Sequence, residues 1–291
     1  MNIYIASSEK YVEKIQEDIY LRDFYKKKGF ICEILTLKKI VELSEPSDRV
    51  ILKSIWGYHL NYEEFIKQIL ILKERKVKLI NDYNFILWNV NKINYMSELK
   101  DINFIPTTNI NFKDIKNKTD IDKRILRTSK IFNTDKFVIK PNVSASGYLT
   151  LKYDQSQNNN EVISLINDNK HLDFIIQPYR PSISLGELSV ILIDGKPMYG
   201  VNRFPGIFTE GKDVEYINVE QIPGGIKNQI NEINNFFINK FESLPKISRV
   251  DFVNNDFKYE IMEIELIDPD LFFRFIPNEV LQECLKKMST I

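Results

Sequence analysis

The clearest pattern in the sequence is Arg249-Val250-Asp251-Phe252, followed after a turn by Met262-Glu263-Ile264-Glu265-Leu266. Charged and apolar residues alternate along both stretches, as expected for strands that bury one face. The segment Asn254-Asn255-Asp256 between them is rich in turn-forming residues. The two stretches are therefore predicted to form an antiparallel hairpin.

This hairpin would carry several carboxylates on one face. Glu263 and Glu265 share a face because side chains two residues apart on a strand point the same way. Asp251 joins them if the loop between the strands has an odd number of residues. Three adjacent carboxylates repel one another unless a cation lies among them, and Mg²⁺ prefers hard oxygen ligands of this kind. The alternative is a solvated strand face that binds no metal.

A lysine and a loop of small residues lie upstream. The short apolar strand Phe137-Val138-Ile139-Lys140 runs through Pro141 into Asn142-Val143-Ser144-Ala145-Ser146-Gly147. Small residues allow backbone N–H groups to approach phosphate oxygens, and Lys140 can neutralise phosphate as a point charge. Such a loop is by itself more often an ordinary hairpin turn. A phosphate-binding role therefore needs support from the neighbouring motifs of the chain.

Two further elements come after the loop. The apolar strand Phe174–Gln177 ends at Pro178, because proline cannot donate to a central ladder. The stretches Glu187–Ile193 and Lys196–Arg203 are joined by Asp194-Gly195, which predicts a second hairpin. An acidic residue therefore begins this hairpin and an arginine ends it.

The order of these motifs resembles the ATP-grasp superfamily over most of the chain. Within it, the chain looks most like the cycloserine-forming ligases, and it is also similar to the ATP-grasp part of bacterial glutathione synthetases and ribosomal-protein glutamate ligases. Ile55-Trp56-Gly57-Tyr58 and Leu87-Trp88-Asn89-Val90-Asn91-Lys92 support the likeness to the cycloserine-type group. Gly57 stands where that group often has an acidic residue, which leaves the substrate open.

The resemblance implies an α/β (α+β) chain with the ATP-grasp fold. An N-terminal α/β subdomain would span residues 1–88, and a central lid subdomain would span residues 89–176. A C-terminal subdomain with an antiparallel sheet would span residues 177–291 and carry the metal-binding carboxylates.

The resemblance also implies roles for single residues. The expected ATP-binding residues are Lys92, Lys140, Ser144, Ser146, Gly147, Gln177, Pro178, Tyr179 and Glu187. Arg203 and Lys140 would be catalytic, because they would stabilise charge on the transferring phosphoryl group. Asp251, Glu263 and Glu265 would hold one or two Mg²⁺ ions, or Mn²⁺ in their place. Family members commonly carry asparagine where this chain has Glu265.

The implied activity is that of an ATP-dependent carboxylate–amine ligase. It would form an amide, a peptide bond or a ring through an acyl phosphate, and would release ADP and phosphate. The expected substrates are small, amino-acid-like carboxylates and amines, whose identity the sequence leaves open. Two alternatives remain, an ATP-dependent phosphotransferase and a non-catalytic ATP-binding regulatory module. Retention of both lysines, Arg203 and the three carboxylates argues against the second alternative.

Composition narrows the classes of partner and the location. The 291 residues include 40 basic and 40 acidic ones, so no global field favours nucleic acid or an anionic membrane. No apolar run approaches the roughly 20 residues of a membrane span, and the N-terminus begins as a strand rather than a signal peptide. Cys32 and Cys284 lie far apart, which favours reduced thiols and a cytoplasmic protein. A homodimer is left open.

The first 88 residues alternate between strand and helix patterns, which predicts a small parallel sheet. A helix is expected over Lys10–Lys28, and another over Ile226–Phe241. The segment Tyr216–Gln221 is expected to be an exposed loop.

Overall fold

The structure is a computed structural model that describes residues 1–113, 115–145, 147–204, 214–256 and 258–289. The chain divides into two compact units, one formed by Met1–Val90 with Ser182–Ile291 and the other by Asn91–Pro181. The division into three subdomains stays a prediction.

The N-terminal part of the first unit contains a parallel sheet, as the alternating pattern predicted. Its strands are β1 (Asn2–Ser7), β2 (Ile31–Thr36), β3 (Arg49–Leu52) and β4 (Lys78–Leu79), in the order β2-β1-β3-β4. Its helices are α1 (Gln16–Lys27), α2 (Leu37–Leu43), α3 (Tyr62–Glu74) and α4 (Tyr83–Asn89). Helix α1 begins six residues later than predicted, because Glu13 has a φ of 57°, which a helix cannot contain.

The second unit is a four-stranded antiparallel sheet with three helices among its described residues. Its strands are β5 (Thr108–Asn111), β6 (Lys136–Pro141), β7 (Leu151–Asp154) and β8 (Asp173–Pro178), in the order β5-β8-β6-β7. Its helices are α5 (Lys92–Glu98), α6 (Lys118–Phe132) and α7 (Asn160–Asp168). Apolar residues of α6 and α7 pack with Phe112, Phe137 and Phe174 in a separate core.

The C-terminal part of the first unit holds an antiparallel sheet in the order β11-β10-β9-β12-β13. The strands are β9 (Glu187–Ile193), β10 (Lys196–Arg203), β11 (Val214–Asn218), β12 (Ile247–Asn255) and β13 (Lys258–Glu265). Helices α8 (Gly224–Phe241) and α9 (Asn278–Met288) follow β11 and β13. Both predicted hairpins are therefore present, and Asp194 and Gly195 turn the first with φ of 51° and 71°. The short 3₁₀ helices are Tyr58–Asn61, Pro181–Leu185, Val219–Gln221 and Phe273–Phe275.

The prediction of an exposed loop over Tyr216–Gln221 is wrong. Residues 214–218 form β11, whose Tyr216 lies opposite Val201 of β10. Val214 and Tyr216 pack against the core of the first unit. The strand forms because every second residue has an apolar surface to cover, which outweighs the polar residues between them.

Candidate active site

One face of the C-terminal sheet brings the predicted acidic residues together. Asp251 lies opposite Glu263 in the register of β12 and β13, and Arg249 lies opposite Glu265. Asp251 therefore shares a face with both glutamates. The predicted condition of an odd loop is not met, because Asn255 pairs with Lys258, and a register shift between Asp251 and Phe252 brings Asp251 opposite Glu263 instead. We call this set of residues, together with Glu187, Ser189 and Arg203 of the neighbouring strands, the polar face.

Strands β9 and β10 complete the polar face. Arg203 lies opposite Glu187, and Ser189 lies beside Asp251 of β12. The Ser189 hydroxyl donates to Asp251 Oδ1 at 2.6 Å, and Arg203 Nε donates to Ser189 Oγ at 2.9 Å. Arg203 also forms an ion pair with Glu187 and lies 3.4 Å from Asp251 Oδ2. Of the predicted site residues, Arg203 is therefore linked to both Glu187 and Asp251. A fourth, Glu263, lies directly opposite Asp251.

Arg249 is a component of the site that the sequence analysis missed. Its Nε and Nη2 each donate to one oxygen of Asp251 at 2.9 Å, which is a bidentate ion pair, and Nη2 also pairs with Glu265. A signal for it was present in the sequence. Arg249 precedes Asp251 by two residues on one strand, so the two side chains must share a face.

Burial and the two arginines set the charge states of the polar face. Burial alone would raise the pKa of Asp251, which is 2% exposed, but Arg249 and Arg203 hold it below its ordinary value. Burial raises the pKa of Glu187 to about 7 against the opposing charge of Arg203. Burial likewise raises the pKa of Glu265 to about 7, although Arg249 opposes the shift. Glu187 and Glu265 on this face therefore have pKa values close to neutral pH.

Phe272 fixes the arginines from one side. The guanidinium carbons of Arg203, Arg249 and Arg274 lie 5.2, 5.5 and 5.5 Å from the centre of its ring. The φ of Phe272 is 56°, an uncommon conformation for a bulky residue. Such backbone strain persists only where the surroundings over-determine it. We infer that contacts around this ring favour the strained backbone and hold the guanidinium groups in place.

Two asparagines support the sheet edge that carries the glutamates. Asn89 donates to the carbonyl of Ile264 at 2.8 Å and accepts from the N–H of Leu266 at 2.9 Å. Asn81 donates to the carbonyls of Ile247 and Leu266, both at 2.7 Å, and accepts from the N–H of Ile247 at 3.0 Å. Both side chains are buried. Asn89 thus bonds the backbone of edge strand β13, and Asn81 links the start of β12 to the residue that follows β13.

In the second unit, Lys92 and the loop after β6 come together. The Lys92 ammonium donates to the carbonyl of Ser144 at 2.6 Å, and its backbone N–H donates to the carbonyl of Asn142 at 3.1 Å. The side chain of Asn142 accepts from the N–H of Ile93 at 2.7 Å, and the hydroxyl of Ser144 donates to Pro141. The start of the loop is therefore fastened to the beginning of α5.

The rest of the loop fits its predicted character only in part. Gly147 has a φ of 69°, and a Cβ there would meet no atom within 4 Å, so the constraint on this residue comes from the backbone alone. Ser146 lies outside the described residues. Lys140 is the fifth residue of β6, and Pro141 ends that strand.

The predicted adenine-binding segment ends β8. The amide of Gln177 is turned inward and donates to Thr107 Oγ1 at 2.8 Å, so this side chain is committed to the interior. Pro178 closes the strand opposite Phe137, and the N–H of Tyr179 donates to Lys136 at 2.9 Å. The Lys152 ammonium lies 4.0 Å from the centre of the Tyr179 ring.

Comparison with known proteins agrees with this arrangement. Residues 107–214 match the family model described as prokaryotic glutathione synthetase, ATP-grasp domain. The fold is similar to that of D-cycloserine synthetase, with a TM-score of 0.80, 17% identity and 99% of both chains covered. The chain has an ATP-grasp fold.

Further structures with this ATP-grasp fold agree at similar coverage. D-alanine–D-alanine ligase from Bacillus anthracis complexed with ATP has a TM-score of 0.67 and 15% identity, with 99% of this chain and 94% of that chain covered. The ATP-grasp ligase PsnB, complexed with a minimal precursor, has a TM-score of 0.63 and 12% identity, with 100% and 99% covered. No curated protein matches the sequence. The fold prediction is confirmed.

Within this fold, the polar face offers carboxylate oxygens, which are the donor type that Mg²⁺ prefers. Glu187, Asp251, Glu263 and Glu265 lie on this face together with two guanidinium groups. Among the described residues, no group of three acidic, histidine or cysteine side chains is arranged for a metal. At this face, Arg249 engages both oxygens of Asp251. The metal assignment of Asp251, Glu263 and Glu265 stays a prediction.

The described residues contain no helix with the length and apolar character that a membrane span requires. Cys32 and Cys284 are both buried free thiols.

Proposed function

We propose that the protein is an ATP-dependent carboxylate–amine ligase that forms an acyl phosphate and releases ADP and phosphate. The observation that carries this proposal is the polar face. Two arginines, a buried aspartate and three glutamates from four adjacent strands converge there. Cationic groups fixed beside carboxylates are suited to phosphoryl transfer, in which the protein supplies positioning and charge stabilisation rather than a nucleophile.

The reaction needs two bond exchanges. An oxygen of the substrate carboxylate attacks the γ-phosphorus of ATP while the bond from that phosphorus to the bridging oxygen breaks, which gives an acyl phosphate and ADP. An amine then attacks the acyl carbon, loses a proton and displaces phosphate. Arg203 and Arg249 would stabilise the negative charge on the transferring group, because both guanidinium groups lie side by side against the Phe272 ring.

The predicted cofactor residues have roles that fit their surroundings. The ammonium groups of Lys92 and Lys140 would contact ATP phosphates. Backbone N–H groups of the loop after β6, to which Lys92 is hydrogen-bonded, would contact them as well. Tyr179 and the backbone of Gln177 and Pro178 would contact adenine, and Glu187 the ribose. Mg²⁺ would neutralise phosphate charge, held by Asp251, Glu263 and Glu265. We further infer that the substrates are small, amino-acid-like molecules. We also infer that the protein is cytoplasmic, and the two free thiols support this location.

The test is ADP release over a panel of amino acids and small carboxylates, with Mg²⁺ and hydroxylamine as the amine. The expected products are ADP, phosphate and a hydroxamate, because hydroxylamine captures an acyl phosphate. Glu263→Gln should abolish the signal, and Lys170→Met, at an exposed site, should not. Release of AMP and pyrophosphate instead of ADP and phosphate would show that the carboxylate is adenylated, and would overturn the acyl-phosphate mechanism. A stable phosphorylated product would identify a phosphotransferase, and binding of ATP without turnover a non-catalytic module.

A further inference from the structure

A buried ion pair in the first unit takes no part in the chemistry proposed above. Glu17, in the first turn of α1, is 5% exposed, and Lys53, directly after β3, is 3% exposed. Their side chains pair with each other. Removing two charges from water can cost more than their attraction returns, so such a pair is by itself weak evidence of stabilisation. The other contacts of the two side chains therefore indicate what the pair does.

Both charges hold the same stretch of backbone, residues 269–273, which we call the anchored segment. Both carboxylate oxygens of Glu17 accept from the N–H of Leu271 at 3.1 Å, and Oε2 also accepts from the N–H of Phe273 at 3.4 Å. Lys53 donates to the carbonyl of the first residue of the segment. The anchored segment lies in the connection between β13 and α9. Backbone groups that are buried outside strands and helices need side chains as partners, and Glu17 and Lys53 supply them.

Phe272 lies between the two residues whose N–H groups Glu17 accepts. Its φ of 56° is uncommon for a bulky side chain and persists only where the surroundings fix it. On its N-terminal side, Leu271 donates to Glu17 and accepts from the hydroxyl of Tyr199. On its C-terminal side, the next residue donates to Glu17 as well. The backbone is therefore anchored on both sides of Phe272, and Glu17 contacts both sides.

The Phe272 ring connects this backbone to the polar face. The guanidinium carbons of Arg203 and Arg249 lie 5.2 and 5.5 Å from the centre of the ring, within the range of cation–π attraction. A change in the φ of Phe272 would move the ring relative to the two arginines. In a site that acts by positioning, a displacement of about 1 Å can lower the rate roughly a hundredfold. The contacts of Glu17 therefore bear on where the arginines lie.

We propose that Glu17 is a positioning residue for the arginines of the polar face. Its carboxylate holds the backbone on both sides of Phe272, and the ring in turn sets the positions of Arg203 and Arg249. Tyr199 assists by holding the same backbone through its hydroxyl. The proposal rests on the proposed ligase function for the reaction that the arginines serve, but not for their placement. It gives the N-terminal helix a part in a site whose other members come from the C-terminal sheet.

The first test needs no catalysis. It records the Nε–H signals of Arg203 and Arg249 by NMR in ¹⁵N-labelled protein, and both groups donate hydrogen bonds within the polar face, which slows their exchange with water. Phe272→Leu removes the ring and so measures how far the ring current shifts each signal. Glu17→Gln should lose at least half of that shift. The pH is 7.5, above the pKa of about 7 to which burial raises Glu17, so that the wild-type carboxylate is mostly ionised.

A matched pair of tyrosine variants, neither of which changes a charge, separates positioning from general stability. Tyr199→Phe removes a buried hydroxyl that donates to the carbonyl of Leu271, in the anchored segment. Tyr25→Phe removes a buried hydroxyl that donates to the carbonyl of Met288, at the end of α9. Both should lower the urea midpoint, but only Tyr199→Phe should shift the arginine signals in the direction seen for Glu17→Gln. If Glu17→Gln does not fold, this pair decides the proposal. Arginine signals that stay in place in Glu17→Gln or in Tyr199→Phe, or that move equally in Tyr25→Phe, would overturn it.

If the panel assay yields a substrate, steady-state kinetics provide a second readout. Glu17→Gln should lower kcat at least tenfold and change the KM for ATP less than twofold, because the arginines act on charge that develops during the transfer. Tyr25→Phe should keep both values. A raised KM with an unchanged kcat in Glu17→Gln would overturn the proposal. If the panel yields no ADP with any carboxylate, the proposed function fails, while the NMR comparison still decides whether Glu17 positions the arginines.

Discussion

Asp251→Asn and Glu263→Gln both alter predicted metal ligands, and the structure separates their effects on stability. Asp251 is almost fully buried, and it accepts two hydrogen bonds from Arg249 and one from Ser189. Glu263 lies directly across the strand pair but is only half-buried. Both variants should lose turnover. Only Asp251→Asn should also lose stability.

The magnitude depends on the groups that the substitution leaves behind. Removing one partner of a buried ion pair costs about 3 to 5 kcal/mol, because the other charge is stranded. Arg249 would keep Glu265, and asparagine would still accept one of its hydrogen bonds. We therefore expect a loss of about 2 to 4 kcal/mol for Asp251→Asn. Glu263→Gln should change the free energy of unfolding by less than about 1 kcal/mol.

The assay is urea unfolding followed by tryptophan fluorescence. Both tryptophans, Trp56 and Trp88, belong to the same unit as the polar face, so the signal reports on the part of the chain that is altered. With a slope of about 2 to 3 kcal/mol per molar urea, the midpoint of Asp251→Asn should fall by roughly 1 M. Glu263→Gln should leave it nearly unchanged.

Two results would refute this reasoning. An unchanged midpoint and slope for Asp251→Asn would mean that its carboxylate does not neutralise Arg249 in the folded protein. Normal ADP release by either variant at saturating Mg²⁺, once a substrate is known, would remove both residues from the metal assignment.

Three further predictions concern the edge strand, pH and the phosphate loop. Asn89→Ala leaves the carbonyl of Ile264 and the N–H of Leu266 without their partner, so the free energy of unfolding in urea should fall by about 2 to 4 kcal/mol. The control Asn84→Ala, at an exposed site on the same helix, should change it hardly at all. Stability of the first unit should fall between about pH 5 and pH 7.5. The reason is that Glu17, Glu187 and Glu265 have a pKa of about 7 in the folded state and about 4.3 in the unfolded state. Between these values only the folded state retains the protons, so raising the pH destabilises it. Stability that stays flat or rises over this pH range would contradict those shifts. Lys92→Met should weaken binding of a non-hydrolysable ATP analogue at least tenfold by calorimetry, and an equal loss in the exposed Lys170→Met would show that the effect is nonspecific.

The sequence predicted those parts of the fold in which local pattern and tertiary context agree. The hairpins at Asp194-Gly195 and at Asn254–Asp256 combine period-two alternation with turn residues, and both are present. The helix start at Lys10 was wrong because apolar spacing alone does not reveal the left-handed φ of Glu13. Strand β11 was missed because its identity depends on pairing with β10, which lies earlier in the chain.

The candidate site was predictable to the extent that strand periodicity fixes which side chains share a face. The shared face of Glu263 and Glu265 followed from spacing, but the position of Asp251 opposite Glu263 depends on a register shift that spacing does not reveal. The partners of these carboxylates did not follow from spacing either. Asn89 occurred in a motif quoted for its resemblance, and only the structure shows that it hydrogen-bonds the edge of β13.

The charge balance of the polar face bears on how it would accept a nucleotide. Arg203 pairs with Glu187, and Arg249 pairs with Asp251, so the guanidinium groups of this face are engaged by its own carboxylates. Arg203 and Arg249 could serve phosphate only by loosening their pairs with Glu187 and Asp251, which would leave those carboxylates buried and uncompensated. A divalent cation arriving with the phosphates would reduce that cost, since it supplies positive charge in the same place.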